Sequence, residues 1–547
     1  MHRVPKMKRR QNMKRIISSL LVLIMLCSLF TGCGKKKQVE RKEGTLIVGI
    51  PQKSTVESYE DNAFTKYLEE STGINIEFEY YSNTTSEYKQ QLALTVAGGE
   101  ALPDVIVGLD GLGMSTIYSY GEDGYFIDLT DLIEKHADAY KAHYDGLSDK
   151  IKKYVDMKMV DSETGEIYGM PKVADEEQVD NLKQMLFINQ NWLDALGMKA
   201  PTNTTELYDV LKAFKTQDPN GNSKNDEIPM LGGINMITYM MNAFMYYEDS
   251  HPYNVENGKV YAPFITDEYR QGLQYINMLC KEGLYSDMSF TTTAKTELRN
   301  MYTPSSGPAK VGVICGHPAI YTDTTNDILD QYVALAPLAD ATGKGGYTVI
   351  ADDVVSLSGF ITKDCQDPEL AMQFLDFFYE DETITRSRHG EKDVDWVEGK
   401  GINNYGTEVT TVTKNSTAFF EGNQTWQRDI LGIQTQKNYS AIADESNVSG
   451  NKVEQIFKGT IAIMREARVK EEVVRNLTYT LNEEFLKEEY EVPLNTYFKD
   501  EMDKFIIGTV DINSESAWNA YLKQIDELKL DKVIELKQGA YDRAYGN

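Results

Sequence analysis

Thr45-Leu-Ile-Val-Gly-Ile50, Ile74-Asn-Ile-Glu-Phe-Glu-Tyr80 and Pro103-Asp-Val-Ile-Val107 set the architecture of the chain. The first is a short apolar run closed by Pro51 and reads as a buried strand. The second alternates strictly between apolar and polar residues, the signature of a half-buried strand. The third is another apolar strand. Between them, residues 62–72 place Phe64, Tyr67 and Leu68 at helical spacing, and residues 85–98 read as a second helix. Strands alternating with helices predict an α/β fold with a largely parallel sheet.

Working outward, residues 124–134 open a further helix and Tyr168-Gly-Met-Pro171 is a turn between apolar segments. Residues 186–189 are a strand end, and residues 191–197 form a short helix stopped by Gly197. Asn203 with Glu206 gives a capping-box-like start to a helix whose Leu207, Val210, Leu211 and Phe214 share one face. Residues 310–315 are a strand, 356–362 a crossing segment and 368–379 an amphipathic helix. Trp518, Tyr521, Leu522, Ile525 and Leu528 make an apolar helical stripe. Trp192 and Trp518 lie on such stripes and are assigned to packing.

A chain of 547 residues exceeds what one core supports and predicts two or more domains. The N-terminal fifteen residues carry seven basic side chains and no acidic one. The apolar run from Ile16 to Phe30 that follows is shorter than a spanning helix of roughly 17–25 residues. Basic end, apolar centre and small-residue exit predict a secretory signal over 1–32. Its exit, Leu29-Phe30-Thr31-Gly32-Cys33, resembles a lipobox, with Phe30 where leucine is usual; Cys33 would then carry the lipid that anchors the chain outside the cell. Gly34-Lys-Lys-Lys37 begins a polar tether over 33–43.

Without residues 1–32, the net charge of −28 becomes −35. That balance predicts no nucleic-acid partner. Cys280, Cys315 and Cys365 remain once Cys27 and Cys33 are set aside. An odd number without close spacing opposes both a disulfide framework and a zinc site. His136 and His143, seven apart, read as a solvated helix face.

The most informative polar segment is Asp218-Pro-Asn-Gly-Asn-Ser-Lys-Asn-Asp-Glu227. Oxygen-bearing side chains fall at loop positions one, three, five, nine and ten: Asp218, Asn220, Asn222, Asp226 and Glu227. The backbone carbonyl of Lys224 stands at position seven. Calcium takes 6–8 oxygen ligands, and such alternate spacing lets one tight loop wrap it. The loop departs from an EF-hand at position six, Ser223 rather than glycine, and at position twelve, Pro229 rather than glutamate. A polar Asn/Asp/Gly turn without metal is the alternative.

Several stretches together resemble family 1 extracellular solute-binding proteins of sugar ABC importers, nearest the lipoprotein branch with the alginate-oligosaccharide binders. They are Tyr88-Lys-Gln-Gln91, Ala97-Gly-Gly-Glu-Ala-Leu-Pro-Asp104, Tyr168-Gly-Met-Pro171, Asn189-Gln-Asn-Trp-Leu-Asp-Ala-Leu-Gly197 and the 218–229 loop. Asp367-Pro-Glu-Leu-Ala-Met-Gln-Phe374, Gly390-Glu-Lys-Asp-Val-Asp-Trp396 and Gln538-Gly-Ala-Tyr-Asp-Arg543 continue the set in family order. The resemblance implies a two-lobed, periplasmic-binding-protein-like α/β fold with ligand held in the cleft. It also implies structural calcium in the 218–227 loop, and a monomer that closes on an oligosaccharide and delivers it to ABC permease subunits with their ATPase. Its lobes are discontinuous, expected at 44–165 with about 305–360, and at 166–304 with about 361–547.

Sugars present apolar ring faces edged by hydroxyls, so a sugar site combines aromatic platforms with amide and carboxylate partners. On that ground Trp396, in a Gly/Asp-rich loop, and Trp426, flanked by amides, are the expected platforms. Tyr59, Asp61 and Asp110 follow strands where ligands approach open α/β sheets. An exported glycan hydrolase is the rival reading, needing two carboxylates about 5–10 Å apart, but no local motif nominates a pair. A binding protein serving a sensor or an adhesive role is the other.

Overall fold

The computed structural model describes residues 42–546 except 110, 162–163, 175–185, 293, 317–320, 350–353, 404–405, 416–417, 419–421, 428–429, 468–473 and 475–476. The expected signal segment, Cys33 and nearly all of the tether lie outside the described residues, as does Asp110. No helix among the described residues is long and apolar enough to cross a membrane.

In chain order the strands are β1 (Thr45–Pro51), β2 (Asn75–Tyr81), β3 (Val105–Val107), β4 (Met170–Ala174), β5 (Leu186–Asn189), β6 (Ile228–Leu231), β7 (Asn254–Glu256) and β8 (Lys259–Tyr261). They continue with β9 (Val311–Cys315), β10 (Tyr332–Ala334), β11 (Val355–Ile361), β12 (Trp396–Ile402), β13 (Glu408–Thr413), β14 (Gly432–Gln434) and β15 (Ile442–Ala443). A six-stranded sheet runs β14-β4-β11-β3-β1-β2 and a four-stranded sheet β10-β5-β9-β6. Each sheet has its own hydrophobic core. The first gathers Val48, Ile106, Phe126, Met170, Phe360, Phe374 and Leu431; the second gathers Ile188, Trp192, Phe214, Val313, Phe498 and Trp518.

The first sheet is mixed rather than largely parallel. β1 and β3 pair in parallel with Val48 opposite Val105, as expected, and β14 pairs in parallel with β4. Between them lies β11, antiparallel to both β3 and β4. It is the expected crossing segment, returning from the second sheet, and its direction is fixed by that return. The expected lobe boundaries need correction on the same ground. β9 bonds to β5 and β6, and β10 to β5, so 311–334 supplies the second sheet. β11 and β14 belong to the first. All of these strands are short and, β10 apart, buried along nearly their whole length, so their local patterns read alike in either sheet.

Local signals otherwise act as expected. The Thr85–Gly98 helix ends in Gly99 at φ 64°, and the Gln190–Leu196 helix in Gly197, also at φ 64°. Asn203 caps the Thr204–Thr216 helix through its side chain on Glu206 N, 3.0 Å. The return half of the capping box differs: the Glu206 carboxylate accepts from Thr202 N at 2.8 Å. Leu207, Val210, Leu211 and Phe214 are all buried, and Trp192 meets Phe214 edge-on at 5.1 Å. Trp518 is buried and stacks on Tyr521, ring centroids 5.0 Å apart.

The Leu481–Ile507 helix ties the two cores together. Thr480 and Glu483 form a full capping box at its start. Near that end Ser115 Oγ, from the Met114–Glu122 helix of the first core, donates to Glu488 Oε1 at 2.5 Å. Beyond Pro493 its Leu494, Phe498, Met502, Phe505 and Ile506 are buried in the second core.

Candidate functional site

A pocket of about 300 Å³ takes its walls from both cores. Gly113, Met114 and Lys158 come from the first-core side. The Ser250-His-Pro-Tyr253 segment, Tyr479, and Glu484, Lys487 and Glu491 of the long helix come from the other, with Lys537 of the Leu530–Tyr545 helix. Its charged groups are arranged in pairs. Lys487 Nζ lies 3.0 Å from Glu484 and 4.1 Å from the centre of the Tyr479 ring. Lys537 Nζ lies 2.8 Å from Glu491 and 4.4 Å from the Tyr253 ring centre. The Tyr253 hydroxyl donates to Asn495 Oδ1 at 2.8 Å. These contacts hold aromatic rings, carboxylates and ammonium groups in fixed geometry, which suits binding of a polyhydroxylated ligand.

The aromatic residues expected to stack on ligand are placed otherwise. Trp426 has no exposed surface. It packs among Tyr59, Phe64, Phe78 and Phe378, with centroids 5.4–6.4 Å away, and its Nε1 donates to Thr65 Oγ1 at 2.7 Å. A wholly enclosed indole offers no face to a sugar, so its expected role is corrected to packing. Tyr59 belongs to the same cluster, buried, with its hydroxyl donating to the Pro51 carbonyl at 3.2 Å. Asp61 is exposed and pairs with Lys66 at 3.5 Å, away from the lining of the shared pocket.

Trp396 is 3 % exposed, donates from Nε1 to the Gly390 carbonyl at 2.9 Å, and has Lys392 Nζ 5.7 Å from its ring centre. It contributes to a separate pocket of about 470 Å³, lined wholly by residues between Asp381 and Asn438. That pocket is larger than the first, but all its walls come from one stretch around β12 and β13. Trp396 thus borders a pocket, with little of its indole exposed. The aromatic and histidine side chains that do line the shared pocket, His251, Tyr253 and Tyr479, lie outside the sequence-based expectations. His136 and His143 sit on separate helices, Nε2 3.8 Å from Glu369 and 3.7 Å from Asp381 respectively.

The 218–227 loop folds tightly between the Thr204–Thr216 helix and β6. Asp218, Gly221 and Ser223 all take left-handed backbone conformations, at φ 48°, 68° and 59°. Ser223 thus makes the sharp turn that glycine makes at the sixth position of an EF-hand. Asp218 accepts from Asn222 N and Ser223 N, at 3.1 and 2.9 Å. Asp226 receives the Asn222 amide at 2.8 Å and pairs with Lys310 at 3.4 Å, which together lower its pKa. Glu227 Oε1 is buried with no hydrogen-bond partner. Burial, and then the neighbouring Asp218 and Asp226 charges, raise the Glu227 pKa. Among the described residues no group of three or more His, Cys, Asp or Glu side chains is spaced to hold a metal. Any cation here would therefore also draw on asparagine and backbone oxygens, the hard donor set that calcium accepts.

A model of the bacterial extracellular solute-binding protein family matches residues 52–384, more than half of the chain. The chain belongs to that family. As a solute-binding protein it is 30% identical over 237 residues to the fructooligosaccharide ABC transporter substrate-binding protein FusA of Streptococcus pneumoniae, 41% of each chain. The chain spans about half the length of the curated relatives it matches. A solved structure of an EF-hand mutant of S. pneumoniae FusA, in complex with fructo-nystose, superposes with a TM-score of 0.71 at 20% identity, covering 91% of this chain and 99% of that one. Alginate-binding protein AlgQ2 without calcium ion superposes at 0.67 and 22% identity, covering 91% and 98%. The solute-binding protein has their two-lobed fold.

Proposed function

We propose that this protein is the capture component of an ABC importer for oligosaccharides, held outside the cell membrane by lipid on Cys33. The observation that carries the reading is the pocket of about 300 Å³ whose walls come from both cores. A ligand bridging such walls stabilises the arrangement that holds them together, a population shift towards a closed state. Family membership and the carbohydrate ligands named for its relatives support the substrate class. Glu484 and Glu491, the carboxylates lining the pocket, each pair with a lysine, an arrangement suited to holding a ligand rather than transferring a proton to it. Calcium in the 218–227 loop is part of the same proposal: Asp218, Asn220, Asn222, Asp226 and Glu227 with the Lys224 carbonyl would hold it. The buried, unpartnered Glu227 oxygen supports that placement, and the ion's role there is structural.

A thermal-shift and calorimetric screen of the mature chain against a glycan panel tests the reading. The expected result is saturable binding of a neutral oligosaccharide, with no product formed on prolonged incubation. Turnover of the glycan would establish the hydrolase reading instead, and binding of none would overturn the carbohydrate assignment.

A further inference from the structure

Two helices pass from one core to the other, and each carries a helix-weakening residue on the way. The Leu481–Ile507 and Leu530–Tyr545 helices run antiparallel. Arg543, near the end of the second, donates to Glu483, near the start of the first, at 3.0 Å, and Lys537 Nζ meets Glu491 at 2.8 Å. Their adjoining ends rest on the first core. Leu481 and Tyr545 pack against it, Ser115 holds Glu488, and the Tyr545 and Tyr154 hydroxyls lie 3.3 Å apart. Leu494, Phe498 and Met502 of the first helix and Val533 of the second are buried in the second core. Between these attachments stand Pro493 and Gly539, each two residues from the Glu491–Lys537 pair. A proline inside a helix has no N–H for the carbonyl four residues back, here that of Glu489, and its ring crowds that carbonyl. Glycine leaves the backbone less restrained than any other residue. Packing asks for neither. Pro493 is exposed, and a Cβ on Gly539 would meet only Arg543 Nη1, at an ordinary 3.8 Å.

We infer that Pro493 and Gly539 form a hinge between the two lobes, and that the Glu491–Lys537 pair couples it to the ligand pocket. Two helices lying side by side bend together only where both yield at the same level. A helix yields where a backbone bond is missing or the chain is least restrained. Glu491 and Lys537 hold the helices together at that level, and both line the shared pocket. The same pocket takes Gly113, Met114 and Lys158 from the first-core side. A ligand bridging those walls therefore fixes the bend at one angle. The coupling rests on the assignment of the shared pocket as the ligand site; the hinge itself does not.

The test follows backbone hydrogen exchange of the full mature chain by mass spectrometry. Without ligand, the amides of 489–492 and 538–541 should exchange about tenfold faster than those of the flanking turns, because opening there needs no wider unfolding. The oligosaccharide that binds best in the glycan screen should slow them. Pro493→Ala and Gly539→Ala together should abolish the fast exchange, raise Tm and change the affinity about fivefold or more. Gly459→Ala is the control. Its Cβ would also enter open space, inside the Val448–Arg465 helix, so it should raise Tm and leave the affinity unchanged. That contrast separates a hinge from a helix made merely more stable. Slow exchange at both segments of wild type, or unchanged affinity in the double variant, would overturn the hinge while leaving the oligosaccharide reading intact. Failure of every glycan to bind wild type, with both segments still exchanging fast, would overturn the pocket assignment and leave the hinge standing.

Discussion

Trp426→Phe separates a packing residue from a ligand platform. The substitution removes about three buried heavy atoms, worth about 2 kcal/mol at ~0.8 kcal/mol per buried carbon. It also deletes the bond from Nε1 to Thr65 Oγ1, a further loss of about 1 kcal/mol. Thr65 still donates to the Tyr59 carbonyl, so no hydroxyl is orphaned as a donor. The expected cost is therefore about 3 kcal/mol. If the first core unfolds as a unit of about 250 residues, with an unfolding entropy of ~2.1 cal/mol/K per residue, Tm of that transition falls by about 6 °C. Calorimetric scans give the shift, and titration with the oligosaccharide selected by screening gives the affinity, expected to stay within twofold of wild type. An unchanged Tm with affinity down tenfold or more would refute the reassignment and return Trp426 to the ligand.

The calcium loop makes a signed prediction in pH. Because the Glu227 pKa is raised in the metal-free fold, its contribution to stability is present below the ordinary glutamate range and is lost as pH rises through the folded value. Metal-free wild type should therefore lose stability relative to Glu227→Gln between acid and neutral pH, measured by urea denaturation with chelator present. Calcium should raise Tm in wild type and leave Glu227→Gln nearly unmoved; a wild-type Tm indifferent to chelator would remove the ion from the loop. Lys537→Met strips the part-buried Glu491 of its counter-charge and should cost about 1–3 kcal/mol. Adding Glu491→Leu should recover most of that loss, which equilibrium unfolding would show.

What the sequence makes legible follows from the range of the forces involved. Strand and helix positions are set by local periodicity, and Val105–Val107, Leu186–Asn189 and Thr85–Gly98 fall where the pattern places them. Sheet membership is set by where the chain crosses. An apolar run such as Val311–Cys315 is buried throughout and carries no mark of which sheet it will join. The same limit governs the site. Nothing around Asn423-Gln-Thr-Trp426 signals that Tyr59, Phe64, Phe78 and Phe378 will converge on it from remote parts of the chain.

The pairing of β14 with β4, Gly432 opposite Lys172, bears on how the molecule is made. That contact closes a chain segment containing the entire second sheet, so contact order is high and folding is expected to be slow. Until residues 432–434 arrive, the outer side of β4 is an open strand edge, which templates pairing with other chains. A polypeptide interrupted between β4 and β14 would carry the exposed edge permanently. Truncation in that interval should therefore produce aggregation rather than a stable first lobe.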